Sequence, residues 1–221
     1  MGVIISVDSL SIASGRQAII DNLSFDIQEG EVVSITGQSG SGKSTVLKYL
    51  AQLNDPTLHI AGTYHLFGKE VDTYSPVELR QTVSYFYQTP TLFGDSVRDN
   101  LSFPYDIRHK HFDEQHAIEM LQSVDLSAHI LDKSIQSLSG GERQRVALIR
   151  NLMFPAKVLL LDEISSALDD KTRQIIWQGI EVYKKQHRAT ILMVSHLKEE
   201  HAFAERQIEI VKLAVRGDDH E

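Results

Sequence analysis

Gly37, Gln38, Ser39, Gly40, Ser41, Gly42, Lys43 and Ser44 fit the pattern G-x-x-x-x-G-K-[ST], and the runs on either side narrow what the chain can become. The residues 31–36 ahead of the pattern are β-rich and the residues 45–51 behind it are helix-like, so the spacing predicts strand, loop and helix. In that arrangement the glycines let backbone N–H groups turn inward around a polyphosphate, and the helix that opens near Thr45 points its positive end at the same place. Lys43 then reaches the β- and γ-phosphates, and the Ser44 hydroxyl is placed to meet Mg²⁺. With glycine near ~7% of residues, a chance match in a chain of this length has odds of roughly 1 in 100. A Gly/Ser turn that merely precedes a helix is the weaker reading.

The 221 residues hold one sizeable core, or one core with a smaller lobe, and not two nucleotide domains. A net charge of −8 argues against general attraction to nucleic acid or anionic lipid, so any contact with a membrane would go through another protein. There is no run of about 18 apolar residues to span a bilayer. The first residues lack a basic flank and meet Asp8 early, which argues against a secretory signal. With zero cysteines there are no disulfides and no thiolate chemistry, which suits a reducing compartment.

Along the chain, residues 3–7 and 23–27 read as strands joined through a turn at Gly15–Gln17, and residues 62–68 read as a short strand bounded by glycines. Ser75, Pro76 and Glu78 supply an N-cap, a first-turn proline and a capping acid for a helix to about Gln81, with a strand over 83–87 behind it. From about Thr89 to Met153 strand signals vanish; Asp113 reads as an N-cap, and Ala117, Ile118, Leu121 and Val124 form an apolar stripe at helical spacing. This segment is expected to be a helical lobe inserted into an α/β core. The core resumes with the continuous apolar run Val158–Leu161, typical of a buried parallel strand, then a helix capped by Asp169 or Asp170, a strand over 190–194 and a last strand over 207–213. The expected division is core with β subdomain over 1–88 and 154–216, helical lobe over 89–153, and an acidic, disordered tail over 217–221.

Two further stretches carry chemistry. The run Val158–Leu161 ends in Asp162 and Glu163, at the carboxyl end of a core strand, where open α/β sheets bind ligands. Asp162 is suited to hold Mg²⁺ with Ser44, and Glu163 to orient and polarise an attacking water. Leu138-Ser139-Gly140-Gly141-Glu142 can be read as a capping box, yet a helix N-terminus with two glycines and a serine is also a phosphate site.

At this point the sequence resembles the ATP-binding cassette family, whose signature is Leu-Ser-Gly-Gly-Gln before a basic helix. Glu142 stands at the Gln position here, and Arg143-Gln144-Arg145-Val146-Ala147 continues as the family does. The resemblance covers nearly the whole chain and implies an α/β fold: a P-loop NTPase (RecA-like) core, an N-terminal antiparallel β subdomain and an inserted helical lobe. It implies that Gln88 senses Mg²⁺ and the γ-phosphate, that Ser166–Asp169 is the D-loop, and that His196 is the switch histidine. It also implies ATP and Mg²⁺ as cofactors and a head-to-tail homodimer around two ATP. In that dimer Ser139, Gly140, Gly141 and Glu142 act on the partner subunit's nucleotide. The remaining implications are an integral membrane permease as partner and a peripheral place on the cytoplasmic face of a bacterial inner membrane.

The family stacks an aromatic residue on adenine; distance to Gly30 puts Ile12 there, so Ile12, with Arg16 across the base, is expected to pack on adenine with weak selectivity. Residues 88–101, 150–152 and 162–169, with Ile164 where most cassettes have Pro or Ala, are similar to the ATP-binding subunits of Fet-type iron exporters. That similarity points to metal export. A soluble cassette ATPase of DNA repair or translation would be expected to carry a coiled-coil insertion, paired cassettes or a basic surface. A P-loop kinase would leave the signature without a use. His109 and His111, in a charged segment, read as solvated residues rather than metal ligands.

Overall fold

The computed structural model describes residues 2–213, so the tail expected over 217–221 lies outside the described residues. The chain opens with a long hairpin, β1 (Val3–Ser14) and β2 (Gln17–Gln28), then β3 (Val32–Thr36) and α1 (Lys43–Leu50). Next come β4 (Leu58–Leu66), β5 (Lys69–Glu70), α2 (Pro76–Thr82) and β6 (Val83–Phe86). The helices α3 (Val97–Asp106), α4 (Glu114–Ser123) and α5 (Gly140–Leu152) follow, with 3-10 turns at Ala128–Asp132 and Ile135–Ser137. The chain then runs through β7 (Val158–Asp162), α6 (Asp170–His187), β8 (Thr190–Val194), α7 (Lys198–His201) and β9 (Arg206–Glu209).

Two sheets result. One is antiparallel in the order β2-β1-β4-β5, the other parallel in the order β6-β7-β8-β3-β9. Every residue of β7 and β8 is buried, as expected of strands covered on both faces. Their period-2 alternation divides the core. Leu160, Leu192 and Val194 pack with α1 and the inner face of the antiparallel sheet, whereas Leu159, Leu161, Ile191 and Met193 pack with α5, α6 and the buried faces of α3 and α4. The phosphate-loop helix is therefore wedged between the two sheets, and the helical segment covers the opposite face.

The hairpin strands run to 12 residues each, longer than the sequence reading, because polar residues on the outer face interrupt the apolar pattern without ending the strand. Gly62 does not bound a strand; it lies inside β4, where the β1–β4 register shifts between Asp8 and Ser11. Its φ is +109°, and a Cβ there would come within 2.8 Å of the Asp8 and Ser9 carbonyl oxygens. The last strand is shorter than expected and stops at Glu209, although the Ile210 N–H still donates to the Thr36 carbonyl at 2.8 Å. The α2 capping box and the Asp113 and Asp169 N-caps are present.

Candidate nucleotide site

The loop between β3 and α1 is built on left-handed glycines. Gly37, Gly40 and Gly42 have φ of 143°, 73° and 97°. A Cβ on Gly42 would sit 2.7 Å from Ile20 Cδ1 and 2.9 Å from Ile19 Cγ2, so the hairpin presses directly on this loop. Gly42 caps α1 with no side-chain hydrogen bond, and the first turn holds no acid, which leaves the helix amides available to an anion. Gln38, Ser39 and Gly40 are exposed, Ser44 and Thr45 half-buried. The Lys43 ammonium folds back and donates to the Gly37 and Gln38 carbonyls, each at 3.0 Å. The Ser41 hydroxyl is buried and finds no partner among the described residues. Buried donors are nearly always paired, so an orphan here fits a site shaped for an anionic ligand.

Asp162 closes the site from the end of β7. Its Oδ1 accepts the Ser44 hydroxyl at 2.8 Å and its Oδ2 accepts the Tyr85 phenol at 2.5 Å. Burial and the carboxylate beside it push the Tyr85 phenol well above its ordinary value, so it stays a donor. Tyr85 was not identified from sequence; the alternation of β6, which points Tyr85 and Val83 to one face, is the signal that could have found it. The Ser44 hydroxyl and the Asp162 carboxylate are hard oxygen donors of the kind Mg²⁺ takes, and the pair fits that ion, with the Gln88 amide held one residue along the chain at Glu163.

Glu163 adopts φ 49°, a left-handed conformation uncommon for a residue with a Cβ. Its N–H donates to the Val194 carbonyl at 3.0 Å, and its own carbonyl takes Ser166 N–H and Oγ, which fixes the turn. The carboxylate so aimed accepts Gln88 Nε2 at 2.8 Å and pairs with His196 Nε2 at 3.0 Å. Three residues from three separate stretches, Gln88, Glu163 and His196, thus meet at the carboxyl ends of β6, β7 and β8.

The signature residues form a separate patch. Ser139 caps α5, accepting the Glu142 N–H at 3.2 Å, while the Glu142 carboxylate accepts the Ser139 N–H at 2.7 Å and the Lys133 ammonium at 3.1 Å. These contacts hold the Glu142 carboxyl below its ordinary value, the Ser139 N–H foremost. Gly140 faces open space and Gly141 leaves room for Thr172, whose N–H and hydroxyl cap onto Asp169 at 2.9 and 2.8 Å. Among the described residues no hydrogen bond joins 139–142 to 37–45.

One expectation fails. Ile12 is 1% exposed, packed into the core of the antiparallel sheet between Ile20 and Ile60, and offers no face to a base. Alternation explains it: Leu10 and Ile12 share the inward face of β1. The half-buried hairpin residue beside Gly42 is Ile19, and Arg16 is exposed at the tip. His109 and His111 are exposed, and no cluster of three or more His, Cys, Asp or Glu side chains placed for a metal occurs among the described residues.

The ABC transporter family matches residues 20–166. The probable iron export ATP-binding protein FetA of Escherichia coli K12 is 43% identical over 93% of this chain and 90% of its own length. The putative ABC transporter ATP-binding protein YjkB of Bacillus subtilis is 36% identical over 82% of this chain and 71% of its own. Among solved structures, the dimeric post-hydrolysis ATP-binding cassette MJ0796 bound to ADP and Pi superposes with a TM-score of 0.81 at 26% identity, covering 94% of each chain. A bacterial Atm1-family ABC exporter with ATP bound shares the fold, with a TM-score of 0.83 over 96% of this chain and 38% of the exporter. With its phosphate loop, strand-end carboxylates and cap motif all in register, the chain belongs to the ABC transporter family and is an ATP-binding ATPase of that family.

Proposed function

We propose that this chain is the energising subunit of a metal exporter, closing head-to-tail on a second copy around two ATP and passing that closure to a membrane permease. The observation that carries the hydrolytic part is the Glu163 carboxylate, aimed by a left-handed turn and held between Gln88 and His196 beside the phosphate loop. Glu163 would polarise the attacking water as general base, and His196 would hold the γ-phosphate. Lys43, released from the Gly37 and Gln38 carbonyls, would meet the β- and γ-phosphates. Ser44, Asp162 and the Gln88 amide oxygen would hold Mg²⁺, which neutralises phosphate charge. Ser139 and the amides of Gly140 and Gly141, with no partner in their own phosphate loop, would face the nucleotide of the second copy, with Asp169 at the same interface.

The transport part is supported by a cleft of about 390 Å³ between the core and the helical segment. Tyr87, Phe93, Phe103 and Ile107 line it and are 38–52% exposed, with Arg80 and Arg108 beside them, a surface suited to a helix from the permease. Among the described residues no helix is long and apolar enough to cross a membrane, so attachment to the cytoplasmic face of a bacterial inner membrane would go through that partner. Iron as the cargo rests on the likeness to FetA. The test is to tag the chain in its native cells, solubilise membranes gently and identify what co-purifies. A multi-span permease, with iron retained in cells lacking the chain, is the expected result; recovery with ribosomes or DNA factors and no permease would overturn the transport reading.

A further inference from the structure

Behind the site lies a buried carboxylate that the proposed chemistry does not use. Glu200, on α7, is 3% exposed. Its Oε1 accepts a short hydrogen bond from the Ser165 hydroxyl and another, at 2.8 Å, from the Trp177 indole N–H, and it stands 4.0 Å from Arg173 Nε. Arg173 in turn donates to the Leu168 carbonyl at 2.9 Å and pairs with Asp170 at 2.7 Å. Both ends of the 165–168 loop therefore converge on Glu200 and its cationic neighbour. The next residue, His201, shares a 2.8 Å hydrogen bond through Nδ1 with Ser34 Oγ, buried in the strand that feeds the phosphate loop.

A buried carboxylate is costly unless donors and a cation hold it, and once so held it resists displacement. Glu200 has both. Its place in the chain gives this a consequence: the loop it grips follows Glu163 by two residues, and α7 begins two residues after His196. Beyond the Glu163 N–H bond to the Val194 carbonyl, the loops that carry Glu163 and His196 are thus joined through side chains at the open face by the 3.0 Å pair between those residues and at the buried face through Glu200 and Ser165. His196 is half exposed, and its loop is held locally by the Leu197 N–H bond to Ser195 Oγ at 2.9 Å and from behind by the Glu200 clamp.

We propose that Glu200 is a positioning residue for ATP hydrolysis, holding the loop of His196 in register with the loop of Glu163. This rests on the roles proposed above for those two residues. Misplacing a catalytic group by about 1 Å costs on the order of a hundredfold. The chain holds one tryptophan, Trp177, so its emission reads the Glu200 contact directly.

The experiment measures steady-state ATP hydrolysis and Trp177 emission for wild type, Glu200→Ala, Glu200→Gln, Ser165→Ala and His196→Ala. Glu200→Ala is expected to lower kcat by about tenfold or more with KM for ATP within about twofold, and to shift the emission. Glu200→Gln, which keeps an acceptor, should recover most of kcat. Ser165→Ala should lower kcat in the same sense while leaving the emission in place, and it decides the matter if Glu200→Ala does not fold. Unchanged kcat in Ser165→Ala and Glu200→Ala, beside a loss in His196→Ala, overturns the proposal. Unchanged kcat in His196→Ala overturns the role of the histidine instead.

Discussion

The Tyr85 phenol and the Asp162 carboxylate share a 2.5 Å hydrogen bond, and the Tyr85 ring lines the cleft on the other side. The edge of that ring meets Tyr87 at a centroid distance of 4.7 Å, so one buried side chain spans from the cleft to the carboxylate proposed to hold Mg²⁺. Tyr85→Phe keeps the ring packing and removes only the donor. The Mg²⁺ concentration for half-maximal hydrolysis is expected to rise about tenfold, the range typical of lost outer partners at metal sites, with KM for ATP little changed. A titration of activity against Mg²⁺ at fixed nucleotide checks it; an unmoved midpoint would show that Ser44 alone orients Asp162.

Glu163→Gln keeps the shape and both neighbours of the side chain but abolishes its basicity. Hydrolysis is expected to fall by at least about a hundredfold, as for loss of a general base, with nucleotide binding retained. If the signature patch faces the nucleotide of a second copy, this variant should accumulate as an ATP-bound dimer. Gel filtration with ATP and Mg²⁺ reads it out, and a monomer under all nucleotide conditions sinks the composite site for the isolated chain.

Ile12 was expected on adenine and lies in the core, so Ile12→Ala should act on stability and not on base choice. Emptying a fully buried isoleucine position costs about 2–5 kcal/mol, visible as a lowered urea midpoint. The ratio of kcat/KM for ATP and GTP should stay where it is. Ile19→Ala, beside Gly42, should instead raise KM for ATP. A changed nucleotide ratio in Ile12→Ala alone would restore the earlier assignment.

What the sequence disclosed and what it withheld differ in kind. The phosphate loop, the apolar β7 run ending in Asp162 and Glu163, and the caps at Ser75, Asp113 and Asp169 are local, and local chemistry is written in neighbouring residues. The contacts of Tyr85 with Asp162 and of Glu200 with Ser165 join residues 77 and 35 positions apart, which no spacing rule connects. Gly62 misled for a related reason. A glycine at the head of a short β-rich run reads as a boundary, but here it is the point in β4 where the backbone of β1 comes too close for any Cβ. Gly62→Ala is accordingly expected to cost about 1–3 kcal/mol in urea unfolding, since the obstacle is backbone and the φ is left-handed.

Acid should unfold the chain through its helix caps. Glu78, Asp99, Glu142 and Asp169 all sit below their ordinary values, drawn down chiefly by the Ser75 hydroxyl, the Asp95 N–H, the Ser139 N–H and the Thr172 N–H respectively. A carboxyl that is more acidic in the folded chain binds protons more readily in the unfolded one, so its contribution is complete above the ordinary 4.5 of Glu and 3.8 of Asp. It is lost as pH falls through that range and beyond. Urea midpoints should therefore hold steady from about pH 7 to about pH 5 and drop steeply below about pH 4. Asp99→Asn tests the source, because among the described residues the carboxylate bonds the Asp95 and Ser96 N–H groups of its own cap and none of the phosphate loop, Asp162 or Glu163. Its deficit relative to wild type should be largest near neutrality and shrink as acid protonates Asp99 in the parent; a deficit independent of pH would assign the loss to packing around Gly94 instead, whose Cβ position lies 2.7 Å from Asp99 Cβ.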